Sequence, residues 1–220
     1  MNKKGTHVGM ILSFVIFITF IVFLYISIQP VVKTEKNKEV LLDFVKLELE
    51  RDFSSHLTVV TVKGEDDNCL ELNLEGSEII DTEYLVKSKT GKILGASKSG
   101  DVLNMNNGAF KIYFSDQKLN NEDLENSNCA EAELGQIQTR EYIFESKIKS
   151  VLSRNYQELK IKFGVPGNSD FGFIFINNSD ESFVFNPKNV SSNVYVDSKS
   201  INYIDADANF KSGVLITKVW

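Results

Sequence analysis

The sequence predicts an α+β protein, one N-terminal transmembrane helix followed by a β-rich ectodomain with two packed helices. Three observations carry that expectation. Residues Val8 to Ile28 are apolar and uncharged, two later stretches repeat apolar side chains at helical spacing, and the remainder breaks into short apolar runs bounded by Gly, Asn and Asp. With 220 residues, the chain is long enough for one sizeable domain or two small ones.

The first element is the span itself. Its 21 residues, VGMILSFVIFITFIVFLYISI, would reach about 31 Å as a helix, the thickness of a hydrocarbon core. A cleaved secretory signal has a shorter apolar region and a small-residue exit, whereas this stretch leaves through Ser27-Ile28-Gln29-Pro30. It reads as a retained anchor that meets the lipid bilayer through residues 8–28, with residues 1–30 forming a cytoplasmic tail plus anchor. Long domains translocate largely regardless of charge, and two cysteines suit an oxidising side. The expected placement is therefore the cell membrane, single-pass, N-terminus inside and C-terminal domain outside.

Pro30 is expected to end or kink the anchor. A helix from about Glu35 to Asp52 follows, with Leu41, Val45 and Leu49 on one row and Val40, Phe44 and Leu47 on its neighbours. Strands are expected over Leu57–Val62, Cys69–Leu74, Tyr84–Lys87, Lys92–Leu94 and Phe110–Phe114, with a further strand around Ala130–Ile137. Lys89-Thr90-Gly91-Lys92 and Asn106-Asn107-Gly108 read as hairpin turns, and Lys118–Asn128 as a flexible acidic loop. A second helix carries the stripe Phe144, Ile148, Leu152, Tyr156, Leu159 and Phe163, stopped by Gly164 and Pro166. Strands at Phe171–Ile176, Ser182–Phe185, Val194–Val196, Ile201–Ile204 and Val214–Val219 complete the chain. This order suggests two helix-plus-sheet modules, 31–138 and 139–220.

Composition excludes several functions. With 24 Lys and Arg against 30 Asp and Glu, the net charge is −6, the wrong sign for a general nucleic-acid binder. Two His and two Cys cannot build a Cys/His zinc cluster. No cofactor, metal or catalytic residue is therefore assigned. Cys69 and Cys129 each stand in an Asn-Cys-x-Glu context at the start of an expected strand, and are candidates for a disulfide, with two buried free thiols as the alternative.

Other motifs dissolve on inspection. Asp205-Ala206-Asp207-Ala208-Asn209 opens like an EF-hand loop, but Phe210 and Ile216 stand where Gly and Glu are required, so a plain Asp/Asn turn is the expectation and a weak surface Ca²⁺ site the alternative. Gly95 to Gly100 has phosphate-loop glycine spacing but continues into Asp101 and reads as a Ser/Gly loop. Ser146-x-x-Lys149 and Lys89-Thr90-Gly91 match fragments of penicillin-recognising enzymes in reversed order. Asn177 and Asn189 begin Asn-x-Ser sequons, and His56 is the one histidine outside the anchor region. Phe171, Phe173 and Phe175 alternate onto one sheet face, read as core with an adhesive aromatic patch as the alternative.

Lys3-Lys4-Gly5-Thr6 directly before the apolar helix resembles the prepilin-type leader of archaeal pilin-like, single-pass surface proteins. The resemblance implies a peptidase cut between Gly5 and Thr6, after which the apolar helix anchors or polymerises the subunit. Many pilins carry Glu at the fifth mature position, and this chain has Met10 there. The expected function is a non-enzymatic, membrane-anchored surface protein, pilin-like or adhesive, contacting a protein or surface-polymer partner. The alternative is a membrane-tethered enzyme or sensor with a carboxylate site that the sequence does not single out.

Overall fold

The computed structural model describes residues 5–64, 69–76, 79, 83–124, 129–185 and 193–220, with backbone alone for 5–8 and 29–36. Lys3, Lys4 and Asn189 lie outside the described residues. The fold is α+β, and its first feature is a single helix, α1 (Gly5–Phe53), of 49 residues.

At about 1.5 Å per residue, α1 is about 74 Å long. Pro30 does not end it, correcting the expected break: the backbone is helical on both sides. The C-terminal half of α1 buries Leu42, Val45, Leu49 and Phe53, one row at helical spacing. Val40, Phe44 and Leu47 stay exposed, so the apolar face is used along half its width.

Phe53 leads without a linker into β1 (Ser54–Lys63), an interior strand of a nine-stranded sheet. On one side of β1 follow β7 (Ala109–Ser115), β3 (Glu83–Ser88) and β4 (Ile93–Leu94). On the other follow β9 (Glu133–Phe144), β12 (Tyr195–Ile204), β13 (Phe210–Val219), β10 (Phe171–Ile176) and β11 (Ser182–Phe185). All neighbours are antiparallel except β9 and β12, which run parallel and meet at two positions, Ile143 with Tyr203 and Phe144 with Ile204. Residue 138 lies in the middle of β9, so this sheet runs continuously across the division expected between 138 and 139.

A second sheet orders β5 (Ala96–Ser99), β6 (Val102–Asn106), β2 (Cys69–Asn73) and β8 (Ala130–Glu131). The Gly95–Gly100 segment expected as a loop is mostly β5, and Gly100 turns the chain into β6 at φ +59°. Lys118–Asn128 is pinned in its described part rather than flexible. Leu119 is buried there, and the backbone N–H groups of Ala96 and Asn120 donate to Glu122 and Ala206.

The expected second helix is two: α2 (Glu145–Leu152) and α3 (Tyr156–Lys162). Asn155 separates them because its side chain accepts from the Gln157 N–H at 2.8 Å and caps α3. Phe144 ends β9 instead of opening a helix.

The hydrophobic interior divides accordingly. One cluster packs the C-terminal half of α1, α2 and α3 onto the phenylalanine-rich face of β10–β13, where Phe53 meets Phe173 edge-on at 5.5 Å. Another fills the space between the two sheets with Val60, Val62, Leu70, Leu72, Leu103, Met105, Ile112 and Phe114. No α1 residue belongs to that second cluster.

Candidate functional site

The N-terminal half of α1 carries a helical window long and apolar enough to cross a membrane. The window Gly9–Ile28 has a mean hydropathy of 2.8 and none of it is buried. Phe14, Phe17, Phe20 and Phe23 all project from it. Thr19 is satisfied locally, its hydroxyl donating to the Ile16 carbonyl at 2.9 Å. Gly5 and Thr6, the residues flanking the expected cleavage, open this helix, and Met10 is strongly exposed on it.

The other half of α1 is fastened to the domain by charges as well as by its apolar row. Lys38 Nζ donates to Ser169 Oγ at 2.6 Å, Lys46 pairs with Asp197 at 2.5 Å, and Lys199 reaches Glu50 at 2.7 Å. Asp52 closes the helix against both Arg154, at 2.9 Å, and Lys162. Asp197 hydrogen-bonds Lys46, which holds the Asp197 carboxyl below and the Lys46 amine above their ordinary values. These contacts fix the direction in which the apolar half leaves the domain.

Where the helix emerges, a groove of about 570 Å³ opens between it and the α3–β10 loop. Val40, Leu41, Phe44 and Pro166 line it, with Lys38 and Asn168 at its polar side. Behind it sits a part-buried charge cluster. Asp170 Oδ1 accepts from Lys160 Nζ and from the Tyr156 hydroxyl, both at 2.7 Å. Burial, and then the bond to Asp170, push the Tyr156 phenol far above its usual range. Burial lowers Lys38, with Asp170 opposing and Lys160 reinforcing the shift. The Asp170 backbone exchanges two hydrogen bonds with Trp220. The arrangement ties α3, β10 and the last described residue together, and it gives Asp170 two donors where a general base would face a substrate.

The residues singled out in the sequence find ordinary places. Cys69 and Cys129 are joined in a disulfide that holds the start of β2 beside the approach to β8. The Asp205 carboxylate accepts from the backbone N–H groups of Asp207 and Asn209 and pairs with Lys211 at 2.8 Å. Lys87 Nζ, buried, donates to the Ala208 carbonyl and, at 2.8 Å, to Asn209 Oδ1. Lysines therefore sit where the Ca²⁺ of the alternative reading would be, and the segment is a turn. Among the described residues no group of three His, Cys, Asp or Glu side chains could hold a metal ion.

Asn177 is 8% exposed and its amide is consumed by the turn it builds, accepting from Ser179 and Glu181 N–H and donating to Glu181. Ser146 donates to Gln117 while Lys149 pairs with Glu145, and Lys89 stands 5.5 Å from the Phe110 ring, so the two enzyme-like fragments serve different parts of the fold. His56 is exposed on β1. Phe171, Phe173 and Phe175 are buried against α1 and α3, as core.

Sequence reading missed the exposed Val40–Phe44–Leu47 row and the exposure of β9. The first carries the same periodicity as the buried row, so the sequence alone could not tell them apart. The second had a signal: Glu133 to Glu141 has too few apolar residues for a central strand. Comparison of the chain with protein-family models, with curated proteins and with solved structures finds no match.

Proposed function

We propose that this chain is a membrane-anchored extracytoplasmic surface protein, non-enzymatic, with a pilin-like or adhesive role. One observation carries the reading: a single helix presents an entirely exposed apolar window over Gly9–Ile28 and, later in the same helix, buries Leu42, Val45, Leu49 and Phe53 in the folded domain. An apolar window of this length has no stable place in water, and lipid or the apolar helices of other subunits would cover it. The Cys69–Cys129 disulfide fits an oxidising space outside the cytoplasm. Beyond Lys3 and Lys4 the chain carries 22 Lys and Arg against 30 Asp and Glu, a net −8 that keeps the domain off anionic headgroups.

The decisive measurement is mass spectrometry of the first peptide of membrane-extracted protein. A start at Thr6 is expected from the leader resemblance and supports the pilin-like version. An intact Met1, or loss of Met1 alone, overturns processing and leaves a fixed anchor. A start beyond Ile28 overturns the anchor itself. Protease added to intact cells should digest the domain, and protection of the domain would reverse the orientation.

A further inference from the structure

β9 is paired along its length with β1 on one side, but on the other only Ile143 and Phe144 meet β12. From Glu133 to Tyr142 no residue is buried. Among the described residues, no backbone hydrogen bond reaches the outer side of that stretch. A long bare edge templates further strand pairing, and proteins blunt such edges with prolines, short strands or inward charges. β9 contains no proline and is the longest strand of the fold among the described residues. Leu134 and Ile137, 45% and 44% exposed, stand opposite Val62 and Val60, so the apolar face between the two sheets continues outward past this edge.

We infer that the outer edge of β9 pairs antiparallel with the same edge of a second copy of this chain, with Ile137 on the two-fold axis. The register follows from the pairing with β1, where Gly135 and Gln136 together oppose Thr61 in a bulge. Counted in β1 positions, Ile137 lies opposite Val60, Glu133 opposite Lys63 and Arg140 opposite Leu57. Glu133 and Arg140 are thus equally far from Ile137 and on one face. Turning the strand about Ile137 sets each Glu133 against the other copy's Arg140, each Leu134 against Thr139, and Ile137 against Ile137. Opposite charges meet twice, the half-exposed apolar side chains are covered, and no like charges face each other. Moving the axis to Gln138 sets Glu133 against Tyr142 and Arg140 against the bulge, which loses both charge pairs.

This pairing also sets the direction of the two anchors. The pairs Lys46–Asp197 and Glu50–Lys199 step along α1 and β12 together, so the two elements run the same way. β12 in turn is parallel to β9. Antiparallel β9 strands therefore point two α1 helices in opposite directions. Resting on the membrane-anchored reading above, the two copies belong to facing membranes, and β9 is a homotypic contact between surfaces.

The test reconstitutes the full chain into phosphatidylcholine vesicles and follows vesicle clustering by light scattering. Wild-type vesicles should cluster. Glu133→Arg and Arg140→Glu should each slow self-clustering by about tenfold, because two attractive cross-strand pairs become repulsive. Vesicles of Glu133→Arg mixed with vesicles of Arg140→Glu should cluster again, as should the double variant with itself, which rules out misfolding as the cause. Ile137→Cys should form an intermolecular disulfide between separate vesicle populations, while Ile161→Cys, exposed on α3, should not. Clustering that ignores both charge variants overturns the register, and absence of wild-type clustering and of the Ile137→Cys crosslink overturns the contact while leaving the anchor intact. Failure of the chain to float with vesicles overturns the anchored reading and the facing-membrane arrangement, and the Ile137→Cys crosslink in detergent then decides the strand pair by itself.

Discussion

Asp205 is the side chain on which the turn between β12 and β13 is built. It takes two backbone N–H groups and the Lys211 ammonium, and its neighbour Ala208 is held at φ 52°, a left-handed conformation that an alanine adopts at a cost. Burial alone would raise its carboxyl, but the hydrogen bonds from Lys211 and Asn209 outweigh burial and hold it below its ordinary 3.8. A carboxyl depressed on folding stabilises the native state above its unfolded value and loses that contribution as acid protonates it. The fold should therefore weaken as pH falls below about 4, and Asp205→Asn should flatten that part of a stability–pH profile while costing about 1–3 kcal/mol at neutral pH. Urea unfolding at several pH values checks both, and an unchanged acid limb in Asp205→Asn would assign the acid sensitivity to other carboxylates. Gly213 is a second residue under constraint, since a Cβ there would lie 2.6 Å from the Ile176 carbonyl and 2.8 Å from the Phe175 ring. Gly213→Ala should accordingly lower the melting temperature, because the obstacles are backbone and a buried ring.

Among the elements, α1 separates side chains that look alike in the sequence. Leu49 is fully buried between α2 and the sheet, and Leu47, two residues earlier, faces solvent. Leu49→Ala should cost about 2–5 kcal/mol by the loss of contacts and the cavity it leaves, and Leu47→Ala should change the isolated chain by no more than about 0.5 kcal/mol. A large effect of Leu47→Ala confined to membrane-embedded protein would reveal a helix partner on the exposed row. The same pair of residues shows what the sequence made legible. Periodicity announced a helix and an apolar stripe, because one packed row is enough to impose it, but it could not say which of two adjacent rows finds a partner. The continuity through Pro30 was hidden for a related reason, since a proline removes one hydrogen bond and the helix on either side decides whether that loss breaks it. The break at Asn155 was hidden in the opposite sense, because the apolar stripe runs on through α2 and α3 while a single side-chain cap splits them. β9 reads as polar because, among the described residues, only Ile143 and Phe144 are paired on its outer side. The apolar span, the turn glycines and the cysteine pair were legible because each rests on local chemistry that later packing does not change.

At the scale of the whole molecule, three apolar clusters share one sheet, and the disulfide ties the small sheet that covers one of them. It closes a loop of 60 residues and ties the small sheet, through β2 and the approach to β8, over the part of the large sheet that presents Val60 and Val62. In the chain-entropy account, a loop of that length contributes about 4 kcal/mol by restricting the unfolded chain. The helix-bearing cluster has no such tie and depends on α1, α2, α3 and the phenylalanine face. Reduction should then act unevenly. Cys69→Ser with Cys129→Ser should lower the unfolding free energy by about 4 kcal/mol, and native-state hydrogen exchange should show the first loss of protection in β2, β6 and β8, with β10, β12 and β13 holding longer. Equal loss across both clusters would mean that the continuous nine-stranded sheet transmits the change, making the molecule one cooperative unit. The uneven outcome has a direct consequence under reducing conditions. The small sheet would then be the weaker half, and the same exchange experiment repeated with reductant should register the loss first in β2, β6 and β8.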